Sequence, residues 1–278
     1  MAPHELSLLL FSCSGREHLL TRTYRTWKSV VAPIPEKILV LDGSYDEASI
    51  AHLDFDFVLH AKRRHGYVAS ISRSLPLVKS EFVFWLEDDW EPLSPIDIGH
   101  ALDFLVENPR CLQLRWSKRA PLDRSGGPLR EDIYRSEAGF SANPCVCRTE
   151  LLREAFAALE QAEKGGRPGL DGFENFVTRW CTTHQVTCAV LDPGDEPAVL
   201  HIGYLESTPR KWHMTESLAP SAETAPGSFA KPPPLWRRFL MILKLAVIFP
   251  RLAIRQFHDN TYYDLAFRII ATFTRAKD

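Results

Sequence analysis

The sequence predicts an α/β fold: a mostly parallel sheet with helices on both faces, followed by a C-terminal helical appendage. Short apolar runs rich in Val, Leu and aromatics alternate with segments of helical spacing, which is the pattern of strands joined by crossover helices. Two of the early runs break into polar, Gly-containing turns, Ser12-Cys13-Ser14-Gly15 and Asp42-Gly43-Ser44. A third, residues 82–90, delivers three adjacent carboxylates, Glu87, Asp88 and Asp89. In open sheets of this kind, ligands bind in the crevice at the carboxyl ends of the strands.

Taken in order, residues 6–11 read as the first strand. Residues 17–31 have helical spacing and stop before Pro33 and Pro35, which cannot continue a helix. Residues 37–41 form a second strand, 48–53 a short helix, 55–59 a third strand and 67–78 a helix that leads into the acidic strand. Beyond it, 96–107 is helical and 111–116 a strand. Residues 119–138, with Gly126-Gly127-Pro128, form an irregular or hairpin excursion. Residues 150–163 are a helix ended by Gly165-Gly166, 173–183 another helix, and 186–191 and 198–202 the last two strands. The expected domains are a catalytic unit over 1–218, a linker over 219–234 rich in Pro, Ser and Ala, and a basic amphipathic tail over 235–278.

The 278 residues are 45% hydrophobic, enough for one large globular domain with an appendage. A formal net charge of −2 leaves no global basic footprint for nucleic acid. The six cysteines show no CxxC pair and no zinc spacing, so they read as buried free thiols in a reducing compartment. The start lacks a basic n-region, and no stretch reaches 18 uncharged apolar residues. A cytoplasmic protein is expected.

The acidic triplet is the strongest chemical signal. Three carboxylates at one strand end repel one another unless a cation neutralises them. Hard divalent ions such as Mg²⁺ and Mn²⁺ take oxygen ligands, usually one or two carboxylates plus substrate phosphates; a solvated acidic turn is the plain alternative. Asp42, leaving a strand into a Gly-Ser turn, is placed to accept hydrogen bonds from a nucleobase or ribose, or is simply a turn residue. The basic loop Lys62-Arg63-Arg64-His65-Gly66 reaches the same crevice, where Arg63 and Arg64 can hold a diphosphate or stay solvated.

The succession strand, helix, strand-Asp-Gly-Ser-x-Asp, basic loop, helix, strand-Phe-x-Leu-Glu-Asp-Asp resembles the nucleotide-binding half of family 2 glycosyltransferases, which have the GT-A fold. The resemblance covers residues 6–92 closely and 93–205 more loosely. It implies transfer of a sugar from a nucleoside-diphosphate donor, UDP-sugar by default, to a hydroxyl acceptor that is a glycan or lipid-linked. It implies Asp42 as the base contact, with Ser14, Arg63, Arg64, Glu87 and Asp88 around the nucleotide. Glu87 and Asp89 are then the ends of the acidic motif, and Asp89 the first ligand of Mn²⁺ or Mg²⁺. The chain departs from the family where Leu41 replaces the first aspartate before Gly-Ser, and where Glu heads the acidic motif.

Inverting transfer needs a carboxylate to take the acceptor's proton. Glu174 resembles the family's base at a helix start, and Asp171 is the rival; acids in a first turn also simply complement the helix dipole. Asn143, before the 150–163 helix, resembles a contact to the donor sugar, although Asn-Pro is also a turn initiator. His201, alone in an apolar strand, is either packed there or returns to the metal as in many GT-A enzymes. Trp90, Trp116 and Trp212 are candidate sugar-stacking rings or core. The alternatives are a nucleotidyltransferase, which would want a basic Gly-rich loop where Ser12–Arg16 stands, and a degenerate transferase acting as a scaffold.

Residues 235–278 carry eight Lys/Arg and three Asp, against 25 basic and 32 acidic groups before them. Trp236, Phe239, Leu240, Leu243, Val247 and Ile254 recur at three- and four-residue steps among Arg and Lys. This suits a helix in the interface of an anionic membrane, or one packed on the catalytic unit or on a second copy.

Overall fold

The structure is a computed structural model that describes residues 5–31, 33–118, 120, 122–164 and 172–202. Its first half runs β1 (Leu6–Cys13), α1 (Glu17–Val30), β2 (Glu36–Asp42), α2 (Glu47–Ile50), β3 (Phe57–Ala61), α3 (Tyr67–Ser74) and β4 (Phe82–Glu87). Its second half continues through β5 (Trp90–Pro92), α4 (Ile98–Glu107), β6 (Cys111–Trp116), β7 (Pro128–Arg130), β8 (Ile133–Arg135) and β9 (Cys145–Arg148). It ends with α5 (Thr149–Lys164), α6 (Phe173–Thr183), β10 (Thr187–Leu191) and β11 (Val199–His201).

One sheet has the order β3-β2-β1-β4-β9-β6-β10-β8-β7. β3, β2, β1 and β4 are mutually parallel, as are β6 and β10. β9 runs antiparallel to both β4 and β6, and the β7–β8 hairpin closes the far side against β10. β5 and β11 form a small antiparallel ribbon of their own.

Side chains alternate across the strands into two apolar layers. Leu8 and Leu10 of β1 pack with Leu20, Tyr24 and Trp27 of α1 and Phe104 of α4. Leu9 and Phe11 face the opposite layer, with Ile71 of α3, Leu152 and Phe156 of α5 and Val177 of α6. A strand covered on both faces reads as an unbroken apolar run, and this is why residues 6–11 show no polar alternation. Leu41, where the family has an aspartate, is fully buried in the first layer.

Several boundaries differ from the sequence expectation. The 67–78 helix ends as α-helix at Ser74 and continues as one 3₁₀ turn, Leu75–Leu77, because Pro76 has no amide hydrogen for the next helical bond and its ring crowds the carbonyl of Ser72. β3 starts two residues late. Asp56 is tied to Lys37 by a backbone bond of 2.9 Å and by the Lys37 amide on its carboxylate at 2.8 Å, so pairing begins only after it. The 119–138 excursion contains the β7–β8 hairpin.

β9 was not anticipated. Cys145-Val146-Cys147 is too short a run to stand out between Pro144 and Arg148, yet it bridges β4 and β6, with Cys145 opposite both Trp85 and Arg115. Because β9 is antiparallel, the loop before it emerges at the carboxyl ends of its neighbours, beside Glu87. The six cysteines are free thiols, as expected. Among the described residues, no helix is long and apolar enough to cross a membrane.

Candidate active site

Three loops leave the parallel strands side by side. Ser14 donates its amide to the Asp42 carbonyl at 3.1 Å, and Gly43 to the Ala61 carbonyl at 3.0 Å, so the ends of β1, β2 and β3 are stitched in register. Gly43 has φ +104°, and a Cβ there would lie 2.6 Å from Ser14 Oγ and 3.0 Å from Arg64 Cγ; only glycine lets the loops close this tightly. Arg64 folds over the gap, donating from Nε to Ser14 Oγ (3.1 Å) and from Nη2 to the Ser14 carbonyl (2.8 Å). Arg63 and Lys62 are exposed beside it.

Asp42 is buried, and its two oxygens accept the backbone amides of His65 (2.7 Å) and Gly66 (3.0 Å). The carboxylate thus fixes the basic loop against β2, with Gly66 at φ +91° starting α3. Asp46, the last residue of the Asp-Gly-Ser-x-Asp pattern, caps α2 through the Ala48 amide.

The triplet splits into three environments. Asp88 turns inward: Oδ1 and Oδ2 take Arg16 Nε at 2.9 and 3.0 Å, Oδ1 takes Arg16 Nη2 at 2.7 Å, and Oδ2 takes Ser12 Oγ at 2.5 Å. Ser12 Oγ also lies 2.5 Å from the Tyr45 hydroxyl. Arg16 Nη2 reaches Asp89 Oδ2 as well. Arg16, Asp88 and Asp89 are 6%, 3% and 4% exposed, a buried charge cluster that only this close pairing makes tolerable.

His201 comes back to the same place. β11 pairs it with Trp90, the Ile202 amide donates to the Asp89 carbonyl at 2.8 Å, and the imidazole packs on the Trp90 ring at 4.5 Å between centroids. His201 Nε2 lies 3.0 Å from Asp89 Oδ2. Burial opposes ionisation of Asp89, but His201 and Arg16 outweigh it and hold the carboxyl well below the usual range. The other oxygen, Asp89 Oδ1, is buried and has no hydrogen-bond partner. An unsatisfied buried acceptor costs about 1–3 kcal/mol, which a cation at that oxygen would relieve. One carboxylate oxygen and one imidazole form a donor set suited to Mn²⁺, whose further positions a diphosphate would fill. Among the described residues, no three His, Cys, Asp or Glu side chains make a complete cage.

Glu87 points to a third neighbourhood. It accepts Trp90 Nε1 at 3.1 Å and lies within hydrogen-bonding reach of Tyr67. Burial, with Asp89 and Glu174 nearby, pushes its carboxyl up to about 8 in spite of those donors. Burial beside Asp88 pushes the Cys13 thiol up to about 12.

Glu174, in the first turn of α6, crosses to the loop before β9. Its Oε1 accepts the Ala142 amide at 2.6 Å and Ser141 Oγ at 3.2 Å. Thr178, one turn later, accepts the Phe140 amide at 3.0 Å. Buried Gln113 on β6 clamps Ser141 from below, donating to its carbonyl and accepting its amide. Asn143 follows in this loop and is buried. Trp90 and Trp116 are buried too, which makes them core rather than sugar platforms. Asp171 and Trp212 lie outside the described residues, as does everything after residue 202.

The strand ends therefore gather Ser14, Asp42, Arg64, Glu87, Asp88, Asp89 and His201 on one edge, with Glu174 and Asn143 held by the loop beside it. Tyr45, Tyr67 and Gln113 were not singled out from sequence, and Ser12 and Arg16 were weighed only as the loop of a nucleotidyltransferase, not as partners of Asp88 and Asp89. Arg16 had one signal, its place just past the turn that ends β1, one loop away from an acidic strand end.

No protein-family model matches the chain, and no curated protein matches it in sequence. Solved structures do match. A mannosyltransferase from Pyrobaculum calidifontis in complex with GDP-Man and Mn²⁺ is 14% identical with a TM-score of 0.50, covering 70% of this chain and 56% of that one. GalNAc-T7 with UDP, GalNAc and Mn²⁺ is 16% identical with a TM-score of 0.52, covering 70% and 44%. The chain has the GT-A fold. This GT-A chain spans about half the length of the structures it matches, and at these identities the likeness is one of fold.

Proposed function

We propose that the GT-A unit transfers a sugar from a nucleoside-diphosphate donor, UDP-sugar by default, to a hydroxyl acceptor with inversion at the anomeric carbon. The observation that carries the reading is the return of His201 to Asp89, 3.0 Å from one oxygen while the other is left unpartnered. A strand pairing far along the chain serves to set an imidazole on the end of the acidic strand, which a plain acidic turn would not need.

In this reading Asp89 and His201 hold a divalent cation, which when bound supplies positive charge against the departing diphosphate. Ser14 and Arg64 line the nucleotide side, and Asp42 keeps the basic loop in place and borders the base. Arg63 and Lys62, exposed on that loop, meet the phosphates by charge. Asn143 and Glu87 border the donor sugar. Glu174, with its rotamer fixed by the Ala142 amide and Ser141, takes the proton from the acceptor hydroxyl as the bond to the sugar forms. Arg16 is turned inward onto Asp88 and Asp89, so the first loop lacks the outward cation that a nucleotidyltransferase would place there.

The test is nucleotide release from a panel of UDP-, GDP- and dTDP-sugars, with and without Mn²⁺. Release from one donor that stops in excess chelator is expected. No release and no binding of any donor would leave a fold without this activity.

A further inference from the structure

Arg16 is fixed before any ligand arrives. Its amide bonds the Cys13 carbonyl at 3.3 Å and its carbonyl accepts the Leu20 amide at 2.9 Å, so the turn after β1 and the start of α1 set its backbone. The side chain is anchored on Asp88 through Nε and Nη2 and on Asp89 through Nη2. Ser12 and Arg16 together engage both oxygens of Asp88. Asp89 Oδ2 is shared between Arg16 and His201. Of the four oxygens on these two aspartates, Asp89 Oδ1 alone has no hydrogen-bond partner.

Resting on the donor-site reading above, we propose that Arg16 makes cation binding at Asp89 and His201 conditional on the nucleotide diphosphate. Without the guanidinium, two adjacent aspartates carrying two negative charges would be a standing cage for a bare divalent ion. With it, one charge is already neutralised, Asp88 is withdrawn, and an arriving cation meets a single unpartnered carboxylate oxygen, an imidazole and a fixed positive charge close by. Two protein ligands, with water in the remaining positions, hold such an ion only weakly. The diphosphate supplies the missing oxygens and the negative charge that offsets the repulsion from Arg16. Cation and nucleotide then bind as a pair, each raising the other's affinity by the same factor. Arg16 acts here as a positioning residue, through the two aspartates.

The experiment uses the full chain and follows the electron paramagnetic resonance signal of free aqueous Mn²⁺, which is lost on binding, with the metal alone and with UDP or GDP added. For the unaltered protein, nucleotide should tighten Mn²⁺ binding by a factor of about 5–150, the usual span of coupling between two ligands. Arg16→Met should take up Mn²⁺ without nucleotide, and its coupling factor should fall towards one. A merely structural arginine would give only losses, never this gain.

Equal Mn²⁺ uptake by the unaltered protein with and without nucleotide would overturn the inference and leave the metal site standing. Undiminished coupling in folded Arg16→Met would overturn it as well. No Mn²⁺ uptake in either condition would remove the donor-site reading and the inference with it. If Arg16→Met does not fold, Asp88→Asn carries the test. It leaves the guanidinium with Asp89 as its one carboxylate partner in this cluster, so binding of Mn²⁺ with nucleotide should weaken several-fold while the circular dichroism spectrum is unchanged. An unaltered Mn²⁺–nucleotide affinity in that variant would overturn the inference.

Discussion

Glu174 and Glu87 are carboxylates close enough to act on each other by charge, and their surroundings differ. Two backbone and hydroxyl donors fix Glu174 at Oε1, which suits a base that must meet an acceptor in one geometry. Glu174→Gln should lower turnover by about 10²–10⁴-fold, the range for loss of a general base, with nucleotide binding retained by calorimetry. Greater damage from Asp171→Asn would reverse the assignment, and a product with retained configuration would reject it. Glu87 behaves otherwise, because its carboxyl is pushed up to about 8 from an ordinary value of 4.5. Between those values the folded state holds a proton that the unfolded chain releases, so rising pH removes stability across that window, with a slope of at most about 1.4 kcal/mol per pH unit. Glu87→Gln cannot ionise and should lack this contribution. Urea titrations of both proteins without metal, from about pH 5 to about pH 8, should show the variant gaining relative to the parent as pH rises; parallel profiles would make Glu87 an ordinary surface acid.

At the scale of elements, the parallel half was legible because each strand is an apolar run that stops at a polar turn, and the acids sit where such runs stop. Gly43 is the tightest of those turns. With φ +104° and Ser14 Oγ 2.6 Å from where a Cβ would sit, Gly43→Ala should destabilise the protein by about 1–3 kcal/mol, the cost of a strained backbone position, and should weaken nucleotide binding through displaced Ser14 and Arg64. Denaturation and calorimetry on the same variant check both effects, and an unchanged midpoint would show that the β1 and β2 loops are not locked together. The antiparallel insertion was less legible. A three-residue apolar run has no period to read, and β9 owes its place to partners on both sides, β4 and β6. Dependence on distant partners also hid Gln113 and the pairing of Arg16 with Asp88 and Asp89. Acids adjacent in sequence announce themselves, whereas the Arg16 guanidinium, which reaches Asp88 and Asp89 from the start of α1, and the Gln113 amide, which holds Ser141 from β6, gain their roles only when the sheet assembles. His201 lies between these cases: an imidazole in an apolar strand was visible, but its meeting with Asp89 required the β5–β11 ribbon.

The whole molecule is electrically divided. Residues 235–278 hold eight basic and three acidic groups, while the preceding residues hold 25 basic and 32 acidic ones. The acidic first 234 residues are repelled by an anionic membrane, so on the proposed function the basic, aromatic-rich tail is the part that would bring the chain to a lipid-linked acceptor. Each Lys or Arg near such a surface contributes about 1 kcal/mol, and Trp236, Phe239 and Leu240 would enter the interface beside Arg237 and Arg238. The expected outcome is flotation of the full chain with anionic liposomes and none for a chain truncated after Pro234. Flotation should fall as salt is raised from about 0.1 M towards about 1 M, where the screening length shrinks from about 10 to about 3 Å. If the full chain stays in the soluble fraction with anionic lipid, the tail's apolar stripe belongs against the catalytic unit or a second copy, and the acceptor has to reach the crevice unaided by a membrane.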